Sequence, residues 1–296
     1  MLSLEQLAGS GPLLIDGAWG TEFQRRGLPV GKSADGWNLS RPELVEEVAR
    51  AYVDGGSRII LTNTFRANRI AMEKDPDLER VVAINHAGVE ISRRAAAGRA
   101  LVFASIGPSG KLLMSGDVDE KALGAAFSEQ AVALAEAGAD ALVIETMTDL
   151  AEARIALDAA LATGLPVVVS MVFDSGRNHD RTMMGTTPAQ AATQLTSLGA
   201  HAVGANCGIG VEAAAAICAA FASATRLPIW IKPNAGLPQM HGKDVVYTTT
   251  AEAFAAYVPA LVESGASFIG GCCGTTPDFI ASMQRHIAQE AARRQD

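Results

Sequence analysis

The chain of 296 residues carries four cysteines, Cys207, Cys218, Cys272 and Cys273, and two of them are adjacent. The pair lies in Gly270-Gly271-Cys272-Cys273-Gly274, and a third cysteine lies in Gly204-Ala205-Asn206-Cys207-Gly208. Neighbouring residues of a strand point to opposite faces, so adjacent cysteines meet one ion only where the backbone leaves the extended form, and flanking glycines permit that departure. Zinc takes thiolates at about 2.3 Å in tetrahedral sites, and a catalytic zinc keeps one position open beside three protein ligands. Cys207, Cys272 and Cys273 are therefore a candidate zinc set. Read from residue type alone, the alternative is that they are small buried residues at tight strand ends. Cys218, in the Ala-rich helical stretch 213–220, reads as core. The histidines compete poorly as ligands: His86 and His286 fall in helical stretches, His201 opens a strand, and His179 and His241 sit in loops without a partner at ligand spacing.

Other polar residues recur at the ends of apolar runs: Asp16, Thr62 with Asn63, Glu145, Asn206 and Asn234. Asp16 and Glu145 suit either an ammonium grip or acid/base work, or a structural ion pair. Exposed backbone amides in Gly17-Ala18-Trp19-Gly20 could hold a carboxylate.

Such groups need a frame that brings positions 16, 145, 207 and 272 to one place. Eight short apolar runs, at 13–16, 58–62, 101–106, 141–145, 167–173, 202–207, 229–233 and 268–272, alternate with segments of helical period, the last closing at about 277–294. That count and alternation predict a single (β/α)8 barrel, a TIM barrel, as one domain over residues 1–296. A repeat of Gly-[Ala/Ser]-x-apolar at Gly56, Gly138, Gly199 and Gly265 marks helix ends before alternate strands. Ser40, Asp149 and Thr187 each precede an acid or amide by three residues, and Thr276 precedes Pro277, all helix-start signals. The long loops expected at 22–40, 107–118, 174–187 and 234–249 all follow strands, on the face where barrel enzymes build their sites.

Composition excludes several classes. A 49% hydrophobic content with a net charge of -8 argues against disorder. No lysine or arginine cluster offers a basic face to nucleic acid. No run of about 18 uncharged apolar residues offers a membrane span, and residues 1–11 lack a signal-peptide pattern. A cytoplasmic chain with reduced thiols is expected.

Assembled, these segments resemble the homocysteine S-methyltransferase family, which includes betaine-homocysteine and S-methylmethionine-dependent enzymes and the homocysteine module of cobalamin-dependent methionine synthase. The resemblance rests on Asp16-Gly17-Ala18-Trp19-Gly20-Thr21-Glu22, Leu61-Thr62-Asn63-Thr64-Phe65, Gly107-Pro108-Ser109-Gly110, Ile144-Glu145-Thr146, the Asn206-Cys207 segment, Lys232-Pro233-Asn234-Ala235-Gly236 and the double-cysteine segment through Pro277. It implies a barrel with Cys207, Cys272 and Cys273 on zinc, homocysteine sulfur in the remaining position, Asp16 and Glu145 at the amino group, and backbone at Gly17 and Ala18 at the carboxylate. Homocysteine and a small methyl donor are then the partners, and homo-oligomerisation is left open. No protein nucleophile is required, because the substrate thiolate attacks.

For the donor, the resemblance places Trp37 and Phe65, and more loosely Trp19, where betaine enzymes use aromatic rings around a quaternary ammonium. Asn63 and Arg66 stand where mammalian-type betaine enzymes resemble one another in having aromatics. Trp37-Asn38 and Arg181-Thr182-Met183-Met184-Gly185 are shared with bacterial relatives of the betaine type. A separate methylcobalamin protein is the alternative methyl source. A metal-dependent barrel lyase would more often use oxygen or histidine ligands, and a redox module would use Cys-x-x-Cys spacing.

Overall fold

The computed structural model describes residues 2–242 and 244–293, and the strands among them are β1 (Leu13–Leu14), β2 (Ile59–Ile60), β3 (Leu101–Ile106), β4 (Ala141–Met147), β5 (Val167–Met171), β6 (Ala202–Cys207), β7 (Ile229–Pro233), β8 (Gln239–His241), β9 (Asp244–Val246) and β10 (Ala266–Ile269). Eight of them pair in parallel in the order β1-β10-β7-β6-β5-β4-β3-β2, and a parallel bridge from Ile15 to Ile59 joins the two ends. Parallel neighbours need long crossovers. Helices Pro42–Asp54, Val81–Ala96, Glu120–Glu136, Leu150–Leu161, Pro188–Ser197 and Val211–Ala224 supply the first six, the short helices Ala251–Ala255 and Val258–Glu263 lie between β7 and β10, and Pro277–Arg293 follows β10. The fold is the (β/α)8 barrel expected from the alternation of short β-branched runs with helical segments.

Because side chains alternate along a strand, the barrel has two cores. Ile15, Ile59, Phe103, Val143, Val168, Trp230 and Phe268 point inward, and Leu4 of the first helix, Leu4–Ala8, packs against them at the start of the strands. Trp230 stacks on Phe103 at 6.2 Å between centroids and tilts against Phe268 at 5.8 Å, so the interior is filled. Outward residues such as Ile60, Val102, Leu142, Val169 and Ile231 pack under the helices.

The four repeat glycines, Gly56, Gly138, Gly199 and Gly265, all take positive φ, between 90° and 109°, as left-handed helix ends require. Gly204 serves a different need. A Cβ there would lie 1.8 Å from the Trp230 carbonyl oxygen on the neighbouring strand. Gly204→Ala is expected to cost about 3 kcal/mol or more, by overpacking a site where backbone must move, and a lower urea midpoint of the metal-free protein checks it.

Several boundaries differ from those read in the sequence. β10 begins two residues early and ends at Ile269, so Cys272 lies past the strand in a turn. There the Cys272 carbonyl accepts from the Thr275 amide rather than from a strand neighbour, and the Thr275 side chain fills the space that a Cβ on Gly271 would need. β4 runs on to Met147, beyond Glu145. The 234–249 segment holds the β8–β9 hairpin, and the 22–40 segment holds the end of Trp19–Arg25 and all of Trp37–Ser40. Asp149 and Thr187 cap their helices, Thr187 in a full capping box, but Ser40 does not: its hydroxyl donates to the Gly36 carbonyl at 3.0 Å, and the helix starts at Pro42. The expected end of the last helix at Arg294 lies outside the described residues. No helix among the described residues is long and apolar enough to cross a membrane.

Candidate metal centre and substrate cavity

Cys207 ends β6 with φ 60°, a left-handed backbone that non-glycine residues seldom adopt and that surrounding structure must enforce. Cys272 and Cys273 sit in the turn after β10, which is pinned from several sides. The Cys272 amide donates to the Pro233 carbonyl at 2.8 Å, and its own carbonyl accepts from the Thr275 amide at 3.1 Å and hydroxyl at 2.8 Å. The Cys273 carbonyl accepts from the Ala235 amide at 2.9 Å, and the Gly274 amide donates to the Thr21 hydroxyl at 3.1 Å. These anchors bring Cys207 Sγ to 3.0 Å from Cys272 Sγ and 4.0 Å from Cys273 Sγ. All three sulfurs lie within 4.8 Å of one another and could hold a metal ion.

Hydrogen bonds from Cys207 and Cys272 pull the Cys273 thiol well below its ordinary value, with the Tyr247 hydroxyl adding to the effect. The same contacts push Cys207 well above its own. Without a cation the cluster thus favours one thiolate, and a second negative charge is resisted by the first. Cys218 stands apart in the outer core, its thiol pushed up to about 12 by burial.

Glu145 is aimed by a bulge. The β4–β5 register shifts between Ile144 and Met147, and Thr146 there takes φ 63°. Asn206 latches this bulge to β6: its Oδ1 accepts from the Thr146 amide at 2.8 Å and the Ser170 hydroxyl at 2.7 Å, and its Nδ2 donates to Thr146 Oγ1 at 2.7 Å. Ser105 Oγ donates to Glu145 Oε1 at 2.5 Å. Burial pushes the Glu145 carboxyl up to about 7, against the pull of Lys232 and of the Ser105 hydrogen bond.

Asp16 is wholly enclosed. Its Oδ1 accepts from Lys232 Nζ at 2.6 Å, and its Oδ2 accepts from Trp19 Nε1 at 2.7 Å and the Leu61 amide at 2.6 Å. Burial opposes the charge on Lys232, yet Asp16 and Glu145 beside it hold its pKa above the ordinary lysine value.

A cavity of about 370 Å³ opens above these groups. Cys207, Cys272, Cys273, Glu145 and Lys232 line it, as do Gly17, Ala18, Trp19 and Phe65, together with Asp35 and the exposed Lys32 and Arg66. Not every residue singled out in the sequence faces it. Asp16 and Asn206 lie behind its lining. Asn234 donates to the Gly208 carbonyl at 2.7 Å and is likewise outside the lining. Trp37 packs edge-on against Phe23 at 5.5 Å under the Arg41 guanidinium at 4.8 Å, one layer removed. The Ala18 amide is already taken by Thr275 Oγ1 at 3.2 Å. Lys232 and Asp35, both buried and both lining the cavity, were not singled out from sequence; a lysine inside the apolar run Ile229-Trp230-Ile231-Lys232-Pro233 was the available signal for the first.

The metal-capable sulfur cluster, a barrel and a rim cavity agree with what comparison with known proteins finds. The homocysteine methyltransferase MmuM from Escherichia coli, in its metallated form, superposes with a TM-score of 0.79 at 27% identity, over 95% of this chain and 99% of that one. Methionine synthases from Mycobacterium leprae and Mycobacterium tuberculosis are each 29% identical over 93% and 92% of this chain, which spans about a quarter of their length. A family model described as homocysteine S-methyltransferase matches residues 13–287. The chain belongs to the homocysteine S-methyltransferase family.

Proposed function

We propose that the protein is a zinc-dependent homocysteine S-methyltransferase that forms methionine with a small onium compound as donor. The observation that carries this reading is the convergence of three sulfurs from two distant segments at one end of a cavity that also holds Glu145. Bonds of about 2.3 Å in a tetrahedron put sulfurs about 3.8 Å apart. The separations of 3.0 and 4.0 Å bracket that value, and an all-thiolate set is soft, as zinc prefers over magnesium or calcium. When bound, zinc supplies a Lewis acid that keeps a thiol ionised near neutral pH and fixed in place.

The chain's own residues supply the rest. Glu145 offers a carboxylate to the substrate's ammonium, and backbone around Gly17 receives the carboxylate. Trp19 and Phe65 flank the space above the sulfurs, where an onium methyl group gains from aromatic faces. Lys32 and Arg66 offer charge to a donor carboxylate at the exposed end. Holding both reactants in line accounts for much of the acceleration, since the nucleophile is the substrate's own sulfur. The likeness to methionine synthases favours a second reading, in which a separate methylcobalamin protein is the donor. The test is methionine formation from homocysteine with betaine, S-methylmethionine, dimethylsulfonio compounds or methylcobalamin, before and after chelation. An onium donor supporting turnover that is lost on chelation and restored by zinc is the expected result; turnover untouched by metal removal would defeat the proposal.

A further inference from the structure

Five acids are buried among the described residues, and four of them are accounted for. Asp16 bonds to Lys232, Glu22 pairs with Arg25 and Arg26, and Lys232 also favours the charge on Glu145. Glu152 accepts from the Ser109 amide at 2.7 Å and lies outside the cavity lining. The fifth, Asp35, lines the cavity at 4% exposure and has no ion-pair partner among the described residues. Its Oδ1 accepts from the Arg66 amide at 2.9 Å, and its Oδ2 accepts from the Ser33 hydroxyl. The Arg66 guanidinium turns elsewhere and donates to the Ala71 carbonyl at 3.1 Å. Burial pushes the Asp35 carboxyl up, and the Arg66 charge is the weakest of the influences opposing it.

Nor is a charge needed at Asp35 to join the segments that follow β1 and β2. The Asn63 amide group already donates to the Ala34 carbonyl, and that of Asn38 to the Asn63 carbonyl, both at 2.7 Å. A buried carboxylate that faces a cavity without a cation is destabilising unless a ligand brings one. Trp19, Phe23 and Phe65 line the same cavity, while Lys32 and Arg66 stand at its exposed end.

We infer that Asp35 is the counter-ion for the onium centre of the methyl donor, with the donor's carboxylate directed outward to Lys32 and Arg66. The inference rests on the proposed function and narrows its donor to a compact inner salt, cation inward. In the transfer, the bond from the methyl carbon to the donor's nitrogen or sulfur breaks, and its electron pair stays on that atom. An electron pair of the homocysteine thiolate makes the new carbon–sulfur bond. The donor's positive charge and the thiolate's negative charge therefore vanish together. Attraction to Asp35 is fullest in the bound donor, partial in the transition state and absent from the product as it forms. Asp35 thus lowers KM for the donor without raising kcat, and it lets the spent donor go.

The test uses the zinc-loaded full chain and two pairs of probes: betaine with 3,3-dimethylbutanoate, and dimethylsulfonioacetate with 3-methylbutanoate. The members of a pair share a shape and a carboxylate and differ in the onium charge. Calorimetry is expected to show the unmodified protein preferring an onium probe over its neutral partner by about tenfold or more. Asp35→Asn keeps an acceptor for the Arg66 amide but loses the charge. It is expected to reduce the preference to about threefold or less, with the neutral probes bound as before. For whichever onium donor supports turnover, KM rises by about tenfold in this variant and kcat does not fall. Asp35→Ser is the second neutral variant if Asp35→Asn does not fold. A preference missing from the unmodified protein, or undiminished in the neutral variants, would leave the cation to the aromatic faces and overturn the inference. So would equal losses for onium and neutral probes, the mark of a residue that only holds its loop. No turnover with any onium donor would instead remove the proposed function, and this inference with it.

Discussion

Replacing Cys207 or Cys273 by alanine is expected to remove the bound zinc and with it methionine formation, by about a thousandfold or more. Two remaining thiolates cannot close a three-sulfur set, and the metal affinity that depends on ligand count goes with the lost sulfur. Activity falls so far because two contributions vanish together. A free thiol near neutral pH is only a few per cent thiolate, and an untethered sulfur loses its alignment with the methyl carbon. The fold is expected to survive, since both thiols sit in a half-buried cluster rather than in the packed layer under the helices. Cys218→Ala is the contrast: it opens a small hole between the Val211–Ala224 helix and its neighbours, lowering stability by about 1 kcal/mol while zinc and activity stay. Metal analysis of the purified variants, with the thermal midpoint of each metal-free form, checks all of this. Full activity in Cys207→Ala would sink the assignment.

Glu145→Gln is expected to make the metal-free protein more stable above neutrality and the enzyme worse. Glu145 titrates at about 7 in the folded chain, chiefly because it is buried, against about 4.5 when unfolded. The folded state therefore holds its proton more tightly between those values, so stability is greatest below the window and declines as pH rises through it. At pH 8 the ionised, buried group costs up to about 3 kcal/mol, which the neutral amide avoids; at pH 4 the two proteins should differ little. Homocysteine binding runs the other way. On the proposed role of Glu145 as the ammonium's partner, KM for homocysteine should rise by about tenfold in the variant. A Glu145→Gln protein with a lower thermal midpoint at pH 8 and an unchanged KM would contradict both halves. Buried charge kept at a cost to stability is the usual sign of a group retained for function.

Much of this was legible in the chain. β3, β6 and β7 begin and end where apolar runs meet polar residues, and the repeat glycines mark helix ends because a left-handed backbone leaves little choice of residue. The convergence of the three thiols was legible too, since adjacent cysteines framed by glycines can leave the extended form and meet a third at a strand end. The Asp16–Lys232 pair was not: the two residues are 216 positions apart, and a carboxylate at a strand end reads the same whether it faces a ligand or a lysine. Asn206, another polar residue at a strand end, gives its amide to the β4 bulge and, at 3.9 Å, to the Cys272 sulfur, neither of which its position alone announces. Trp37 matched a motif position, but the short helix it opens turns its ring onto Phe23.

The stacked rings of Phe103, Trp230 and Phe268, with Leu4 beneath them, act as a bulkhead. Traffic through the barrel is therefore one-ended. Whatever enters the cavity must leave by the rim through which it came, because the filled interior offers no second way out.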